Sequence, residues 1–132
     1  MPTRDLTPYI GQAVHVVIDR PLGSCHPRHP DLRYPVNYGF LPGTISGDGA
    51  PIDAYVLGIG VPLTTFAGVV IALVVRADDV EDKLLVAPPG TTICRDEISA
   101  AVAFQEQYFQ SSIIMASHAG KESGDDCGTP PR

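Results

Sequence analysis

Glycine and proline recur between short apolar runs, and this spacing constrains the fold more than any other feature of the sequence. The chain has thirteen residues of each type among 132. Glycine adopts the backbone conformations of tight turns, and proline lacks the N–H group that a helix interior or a central strand needs. The pattern therefore favours many turns and short strands over a helical bundle. The length and the 44% hydrophobic content suit one core in one domain.

Runs of β-branched and other apolar side chains between these turns indicate strands. The predicted strands are Ala13–Asp19, a segment that has Pro35 near its start, Asp53–Leu57, Phe66–Arg76 and Lys83–Ala87. Residues 20–33 contain three prolines and two histidines, so they are predicted to form a long ordered loop.

One amphipathic helix is predicted after the strands. Its apolar face repeats at i, i+3, i+4 and i+7 through Ile98, Ala101, Val102, Gln105, Tyr108 and Phe109. Asp96 and Glu97 suit the positive end of the helix dipole. Five or six short strands and one helix predict a mainly β (α+β) fold, an OB-like small β-barrel with a C-terminal amphipathic helix packed on it.

The two ends of the chain and its charge lead to expectations about organisation and location. From residue 117 onward no apolar period is present, so we expect a barrel domain at 1–116 and a disordered tail at 117–132. The first thirty residues lack a charged segment followed by an apolar one, which predicts a soluble, cytoplasmic protein. The net charge of −6 argues against nucleic acid or an anionic membrane as the main partner.

The segment Tyr34–Phe40 (Tyr-Pro-Val-Asn-Tyr-Gly-Phe) and the turn Asp48–Asp53 (Asp-Gly-Ala-Pro-Ile-Asp) join two tyrosines to two carboxylates. A turn rich in Asp and Gly can crowd oxygen ligands around a hard cation such as Mg²⁺. Tyrosine hydroxyls beside such a cation suit a phosphate ligand. The alternative is an aromatic core strand followed by an ordinary surface turn.

A second acidic cluster lies directly before Lys83 and comprises Asp78, Asp79, Glu81 and Asp82. If both acidic loops leave neighbouring strands, they could flank one divalent site. Carboxylate ligands alone select Mg²⁺ or Mn²⁺ over zinc or copper. An acidic loop that is merely solvated is the alternative.

Basic and imidazole side chains are concentrated in the loop at residues 20–33. Arg20, Arg28 and Arg33 could hold phosphate oxygens in a bidentate fork, or lie on the surface without a ligand. His26 and His29 are three residues apart, but the intervening and following prolines argue against a helical metal-binding pair. A role near a substrate phosphate is the other functional reading of these histidines.

These motifs resemble the signature of soluble family I inorganic pyrophosphatases, which carry a Tyr-Pro-x-Asn-Tyr-Gly strand and an Asp-x-Asp-Pro-x-Asp metal loop. The strand after Lys83 (Leu-Leu-Val-Ala-Pro) also matches. Residues 104–109 resemble the family's Phe-Phe-Glu-x-Tyr-Lys helix, so the resemblance covers roughly residues 11–112. Ala50 replaces the middle loop aspartate and Phe109 replaces the final lysine. The chain is identified as a shortened and divergent relative.

The resemblance implies Mg²⁺-dependent hydrolysis of inorganic pyrophosphate to two phosphates, with Mn²⁺ as a substitute. The implied catalytic residues are Tyr38, Asp48, Asp53 and Lys83. The implied substrate-binding residues are Arg28, Arg33, Tyr34, Lys83 and Tyr108. The implied metal ligands are Asp19, Asp48, Asp53, Asp79 and Asp82, and the last two are chosen from a shortened loop whose other acidic residues compete for the role.

Two classes of function follow. The first is a diphosphatase, a hydrolase acting on pyrophosphate or a related phosphoanhydride, whose activity Ala50 and Phe109 weaken. Loss of a positioned base costs roughly 10²- to 10⁴-fold in rate. The second is a non-catalytic barrel that binds a phosphorylated small molecule or a protein partner. The resemblance also implies a homo-oligomer, whereas the acidic composition disfavours an OB-type nucleic-acid module.

Overall fold

A closed β-barrel forms the centre of the computed structural model, which describes residues 6–45, 49–77, 82–108 and 110–115. The strands are β1 (Ala13–Arg20), β2 (Asn37–Leu41), β3 (Ile52–Val56), β4 (Thr65–Arg76), β5 (Lys83–Ala87) and β6 (Ser111–Met115). Helix α1 covers Arg95–Glu106, and a 3₁₀ turn at Thr7–Tyr9 precedes β1.

The strand order β1-β2-β3-β5-β4 closes because β4 also pairs with β1. The β3–β5 pairing is parallel, whereas the other pairings are antiparallel. Closure leaves these five strands without a free edge, and β6 extends the sheet by pairing with the C-terminal half of β4. The mainly β, OB-like barrel with one C-terminal helix that the sequence predicts is therefore confirmed.

Strand alternation divides the apolar side chains into two clusters. Side chains such as Val16, Ile52 and Leu84 fill the barrel interior. Side chains from the opposite face of the wall, such as Tyr55 and Leu85, pack against α1. All five residues of β5 are buried, because the interior covers one face of this strand and the helix side covers the other.

Asn37 is a fully buried polar residue at the start of β2 that fixes two loops. Its side-chain oxygen accepts hydrogen bonds from the backbone N–H groups of Leu22 (3.0 Å) and Leu63 (2.9 Å). Its amide nitrogen donates to the carbonyl of Val61 at 2.9 Å. A buried amide is tolerated only when its hydrogen bonds are satisfied, so Asn37 holds the β1–β2 loop (residues 21–36) and the β3–β4 loop in fixed positions.

The structure shortens the predicted helix and adds a strand. Helix α1 ends at Glu106, so Tyr108 lies in the turn after it, and Phe109 lies outside the described residues. Strand β6 was not among the runs assigned from sequence, because it lies at an edge and most of its residues remain exposed. The predicted tail at 117–132 also lies outside the described residues. Within the described ranges, no helix combines the length and apolarity needed to cross a membrane.

A buried carboxylate attaches α1 to the barrel. Glu106 is 6% exposed and accepts two hydrogen bonds from the Arg76 guanidinium, from Nε at 3.0 Å and from Nη2 at 2.7 Å. The hydroxyl groups of Tyr55 and Ser111 also donate to this carboxylate, each at 2.7 Å. One side chain of the helix thereby binds groups on β3, β4 and β6.

Hydrogen bonds extend this cluster from Tyr55 to Arg20. The Gln105 amide nitrogen donates to Tyr55 Oη at 2.6 Å, and its amide oxygen accepts from Tyr34 Oη at 3.2 Å. Arg20 Nη1 in turn donates to Tyr34 Oη at 3.0 Å. The donors all point the same way along a chain with a cation at one end and a carboxylate at the other, an arrangement in which neighbouring bonds strengthen one another.

The environment of Glu106 changes its acidity. Burial alone would raise the pKa of Glu106, but hydrogen bonds from Arg76, Ser111 and Tyr55 outweigh burial and lower its pKa below the ordinary value of 4.5. Burial and the adjacent Glu106 charge both raise the pKa of the Tyr55 hydroxyl, which keeps that group protonated as a donor.

We expect Gly39→Ala to destabilise the barrel. A methyl group at this position would overlap the carbonyl oxygen of Val17 and lie 2.8 Å from the backbone Cα of Ile18. Overpacking of this kind typically costs about 1–3 kcal/mol, and backbone atoms on a paired strand have little room to move. Urea unfolding measures the loss. Gly60→Ala is the matched control, since a methyl group there meets no atom within 4 Å. Equal stability of both variants would contradict the prediction.

Glu106→Gln should lower the free energy of unfolding at pH 7 by about 3–5 kcal/mol, because it breaks the buried ion pair between Glu106 and Arg76. A carboxylate whose folded pKa is lowered stabilises fully above its unfolded pKa and loses that contribution as pH falls through the folded pKa. The difference between wild type and variant should therefore shrink below about pH 4.5. Urea unfolding from pH 7 to pH 3 tests this, with the exposed Asp96→Asn as control. A difference that stays constant with pH would exclude the assignment.

Candidate functional site

A cleft of about 570 Å³ lies beside the end of α1 and the β1–β2 loop. It is lined by Arg20, His26, His29, Asp31, Leu32, Tyr38, Arg76, Lys83, Gln105 and Tyr108. Three of these side chains are basic and come from the ends of three different strands, although the chain as a whole carries a net charge of −6. Cations that favour a bound anion therefore gather in this cleft. The Asp31 carboxylate also lines it, and Arg76 and Lys83 form ion pairs with Glu106 and Asp53.

The barrel register brings Asp53 and Lys83 together. Ala54 on β3 pairs with Leu84 on β5 in a parallel ladder, so the preceding residues on the two strands are neighbours. Lys83 Nζ lies 3.0 Å from Asp53 Oδ2, and the lysine side chain is only 2% exposed, compared with 26% for the aspartate. The lysine nitrogen also lies 5.4 Å from the centre of the Tyr38 ring. Three residues assigned to one site from sequence are thus in one place.

Asp19 lies at the end of β1, within electrostatic range of Asp53. Desolvation raises the pKa of Asp19 above its ordinary value, the neighbouring Arg20 opposes the rise, and the Asp53 carboxylate adds to it. The Asp53 charge disfavours the ionised form of Asp19, and a cation bound beside Asp19 would relieve this effect. The donor set is all oxygen, which suits Mg²⁺ or Mn²⁺.

Arg20, one of the three loop arginines considered for phosphate binding, lies over the cleft, whereas the resemblance implied Arg28 and Arg33. Its guanidinium carbon lies 5.9 Å from the Tyr34 ring centre and 6.0 Å from that of Tyr38. Tyr34 is 1% exposed, and its hydroxyl oxygen accepts a hydrogen bond from Arg20, which holds the guanidinium in place. Arg28 and Arg33 are both exposed, and Arg33 donates to the carbonyl of Gly23 at 3.0 Å. Neither is among the residues that line the cleft.

Tyr108 and the acidic residues of the two loops are the other residues that the sequence predicts for the site. Tyr108 lines the cleft and is 68% exposed. The Asp82 carboxylate accepts a hydrogen bond from the backbone N–H of Arg76 at 3.3 Å. Asp48 and Asp79, together with Asp78 and Glu81, lie outside the described residues. Among the residues that the structure does describe, no group of three or more His, Cys, Asp or Glu side chains has the geometry to hold a metal ion.

Four residues that line the cleft were not site candidates from sequence: Asp31, Leu32, Arg76 and Gln105. Arg76 is the last residue of a long apolar strand. A single cation at such a position gives little indication in the sequence that it pairs with a buried carboxylate. Gln105 was assigned only to the apolar helix face, because its spacing fits that pattern. Arg20, His26 and His29 were considered from sequence, and the structure places all three at the cleft.

Comparison with known proteins agrees with this fold. The family model for inorganic pyrophosphatase matches residues 15–112. Inorganic pyrophosphatase of Xylella fastidiosa is 35% identical over 68 residues, which cover 47% of this chain and 36% of that protein. Inorganic pyrophosphatase of Mesorhizobium japonicum is 64% identical over 28 residues, or 21% of this chain and 16% of the relative. The matched segments thus span well under half the length of these relatives.

Solved structures share the fold. Inorganic pyrophosphatase from Ehrlichia chaffeensis superposes with a TM-score of 0.63 at 20% identity, covering 80% of this chain and 87% of that one. The enzyme from Neisseria gonorrhoeae gives a TM-score of 0.62 at 22% identity, covering 88% and 91%. Since the family match extends over most of the chain, including the Tyr38, Asp53 and Lys83 positions, the chain belongs to the inorganic pyrophosphatase family.

Proposed function

We propose that the cleft hydrolyses inorganic pyrophosphate, or a closely related phosphoanhydride, to phosphate. The observation that carries this proposal is the Lys83–Asp53 pair beside Tyr38, with Arg20 and Arg76 opening on the same cleft. A carboxylate, a desolvated ammonium group and guanidinium groups are the parts that phosphoryl transfer needs in one place.

The basic side chains would bind the phosphate oxygens. Arg20 is oriented by Tyr34, and Arg76 is held by Glu106, so neither long side chain must be ordered anew when substrate binds. Lys83 lies in a nearly dry environment, where its attraction for an anion is stronger than in water. Tyr38 and Tyr108 add hydroxyl groups to the same cleft.

The proposed metal ligands are Asp19 and Asp53, joined by Asp48, Asp79 and Asp82 as the sequence suggests. A Mg²⁺ ion bound there, or Mn²⁺ in its place, would neutralise phosphate oxygens and lower the pKa of a bound water. The carboxylates hold that charge beside Lys83. The Asp82 carboxylate also accepts a hydrogen bond from the backbone N–H of Arg76 on β4.

In the reaction a water oxygen attacks one phosphorus atom while the bond from that phosphorus to the bridging oxygen breaks, and the two protons of the water end on the two product phosphates. Lys83 and Arg20 would stabilise the negative charge that grows on the leaving phosphate. Ala50 is exposed in the turn before β3 and offers no group that accepts the proton of the attacking water. We therefore propose a slow enzyme, reduced by roughly 10²- to 10⁴-fold relative to one with a positioned base.

A second candidate is a barrel that binds a phosphorylated small molecule or a protein partner without turnover. Ala50 and Phe109 favour it, because both replace polar family residues by apolar ones while the cleft retains its cations. The wider proposal keeps a barrel domain at 1–116, a disordered tail at 117–132, a cytoplasmic location and a homo-oligomer.

Purified protein should release phosphate from Mg-pyrophosphate, and Lys83→Met should lower kcat/KM by about 10²- to 10³-fold, the usual cost of removing a charge-stabilising donor. A colorimetric phosphate assay measures the rate, and thermal unfolding establishes that the variant is folded. Arg95→Met removes an exposed cation away from the cleft and should leave the rate unchanged. Absence of release with both Mg²⁺ and Mn²⁺ at micromolar enzyme would refute the proposed function.

Ala50→Asp should raise kcat, by up to about 10²-fold, because it restores a carboxylate able to orient or deprotonate the attacking water. Phosphate release at saturating pyrophosphate reports the gain. Ala103→Asp adds the same charge on the exposed side of α1 and serves as the control. If Ala50→Asp binds pyrophosphate as tightly as wild type but releases phosphate no faster, the result favours the non-catalytic barrel.

A further inference from the structure

His26 and His29 face the cleft from the β1–β2 loop, and the proposed reaction uses neither. Their ring centres are 5.0 Å apart, and the His26 ring lies nearly parallel to that of Tyr34, at 6.2 Å and 9°. Tyr34 is itself fixed by Arg20 and Gln105. The His26 ring therefore rests on a rigid support.

The loop backbone around His26 is ordered. The N–H of His26 donates to the carbonyl of Leu32 at 2.8 Å, and the N–H of Leu32 donates to the carbonyl of His29 at 2.8 Å. Pro27 and Pro30 restrict the backbone further, because each ring fixes φ. A side chain on such a loop loses little conformational entropy on binding a ligand.

One hydrogen bond defines which nitrogen of His26 carries the proton. The backbone N–H of Arg28 donates to His26 Nδ1 at 3.0 Å, so Nδ1 must present its lone pair. A neutral imidazole then carries its hydrogen on Nε2. A second proton on Nδ1 would face the Arg28 N–H, so this bond also disfavours the cation. Desolvation and the nearby His29, Arg20 and Arg28 lower the pKa of His26 in the same direction.

We infer that His26 is a substrate-binding residue whose Nε2–H donates a hydrogen bond to a phosphoryl oxygen of the anion in the cleft. The inference rests on the proposed function for its ligand, a diphosphate, but not on turnover. The neighbouring Arg20 and Lys83 supply charge, whereas His26 supplies direction without adding another charge. It would thus orient one phosphoryl group relative to the two cations.

Two substitutions separate this role from a purely structural one. In His26→Asn the amide oxygen can take the place of Nδ1 and keep the bond from Arg28, but the Nε2 donor is lost. In His26→Gln the amide nitrogen reaches the Nε2 position, but the acceptor for Arg28 is lost. If His26 binds substrate, the asparagine variant should bind diphosphate more weakly than the glutamine variant. If His26 only orders the loop, the glutamine variant should be the weaker binder.

Isothermal titration calorimetry with imidodiphosphate, a diphosphate that resists hydrolysis, measures binding with Mg²⁺ present. His26→Asn should raise the Kd by about 10- to 100-fold, the loss of affinity expected when a hydrogen bond to a charged group is removed. His26→Gln should stay within about threefold of wild type. His15→Asn changes an exposed histidine on β1 and is the control. Weaker binding by the glutamine variant alone, equal binding by both variants, or no imidodiphosphate binding by wild type would overturn the inference.

This measurement is independent of the phosphate-release assay. A wild-type protein that binds imidodiphosphate but releases no phosphate disproves the proposed enzyme while the His26 comparison still decides the inference. Long-range ¹⁵N NMR of the imidazole rings gives a second readout, with the His26 signal assigned by its loss in His26→Gln. The Nε2–H tautomer is expected, and an Nδ1–H tautomer would overturn the inference.

Discussion

The buried carboxylate of Glu106 connects helix α1 to three strands of the sheet. It satisfies two nitrogens of Arg76 and the hydroxyl groups of Tyr55 and Ser111, which belong to β3, β4 and β6. Ile98 and Val102 of helix α1 pack against apolar side chains of the barrel wall, and the Glu106 carboxylate adds hydrogen bonds at the end of the helix. If the charge were lost, Arg76 would lose this ion pair and the two hydroxyl groups would lose a charged acceptor at a nearly dry site.

The position of the helix end decides the shape of the cleft. With Glu106 held, Gln105 lies between Tyr55 and Tyr34, and Tyr34 can hold Arg20 over the cleft. The same carboxylate orients Arg76, which lines the cleft from the end of β4. Arg20 and Arg76 are therefore parts of one hydrogen-bond network, so a change in helix packing would also reach the cleft that both residues line.

Local patterns predicted much of the fold and part of the site. β-branched runs between Gly and Pro positions indicated the barrel strands, and the resemblance pointed to Tyr38, Asp53 and Lys83, which the structure brings together. Arg28 and Arg33 were favoured over Arg20, because sequence order in a shortened loop does not reveal which arginine turns inward. Gln105 fitted an apolar stripe, yet its partners Tyr55 and Tyr34 are 50 and 71 residues away. No local pattern carries that information.

Composition and neighbours within a few positions were enough to predict the short strands, an amphipathic helix, the net negative charge and the residue types available for phosphate chemistry. They were not enough to predict which cations come together, because that depends on the folded arrangement. Barrel closure aligns Asp53 with Lys83 through a parallel pairing of strands 30 residues apart, and the buried Glu106 brings Arg76 and Gln105 to the same cleft. Such juxtapositions arise from hydrogen bonds and packing between distant segments, which a linear pattern does not encode.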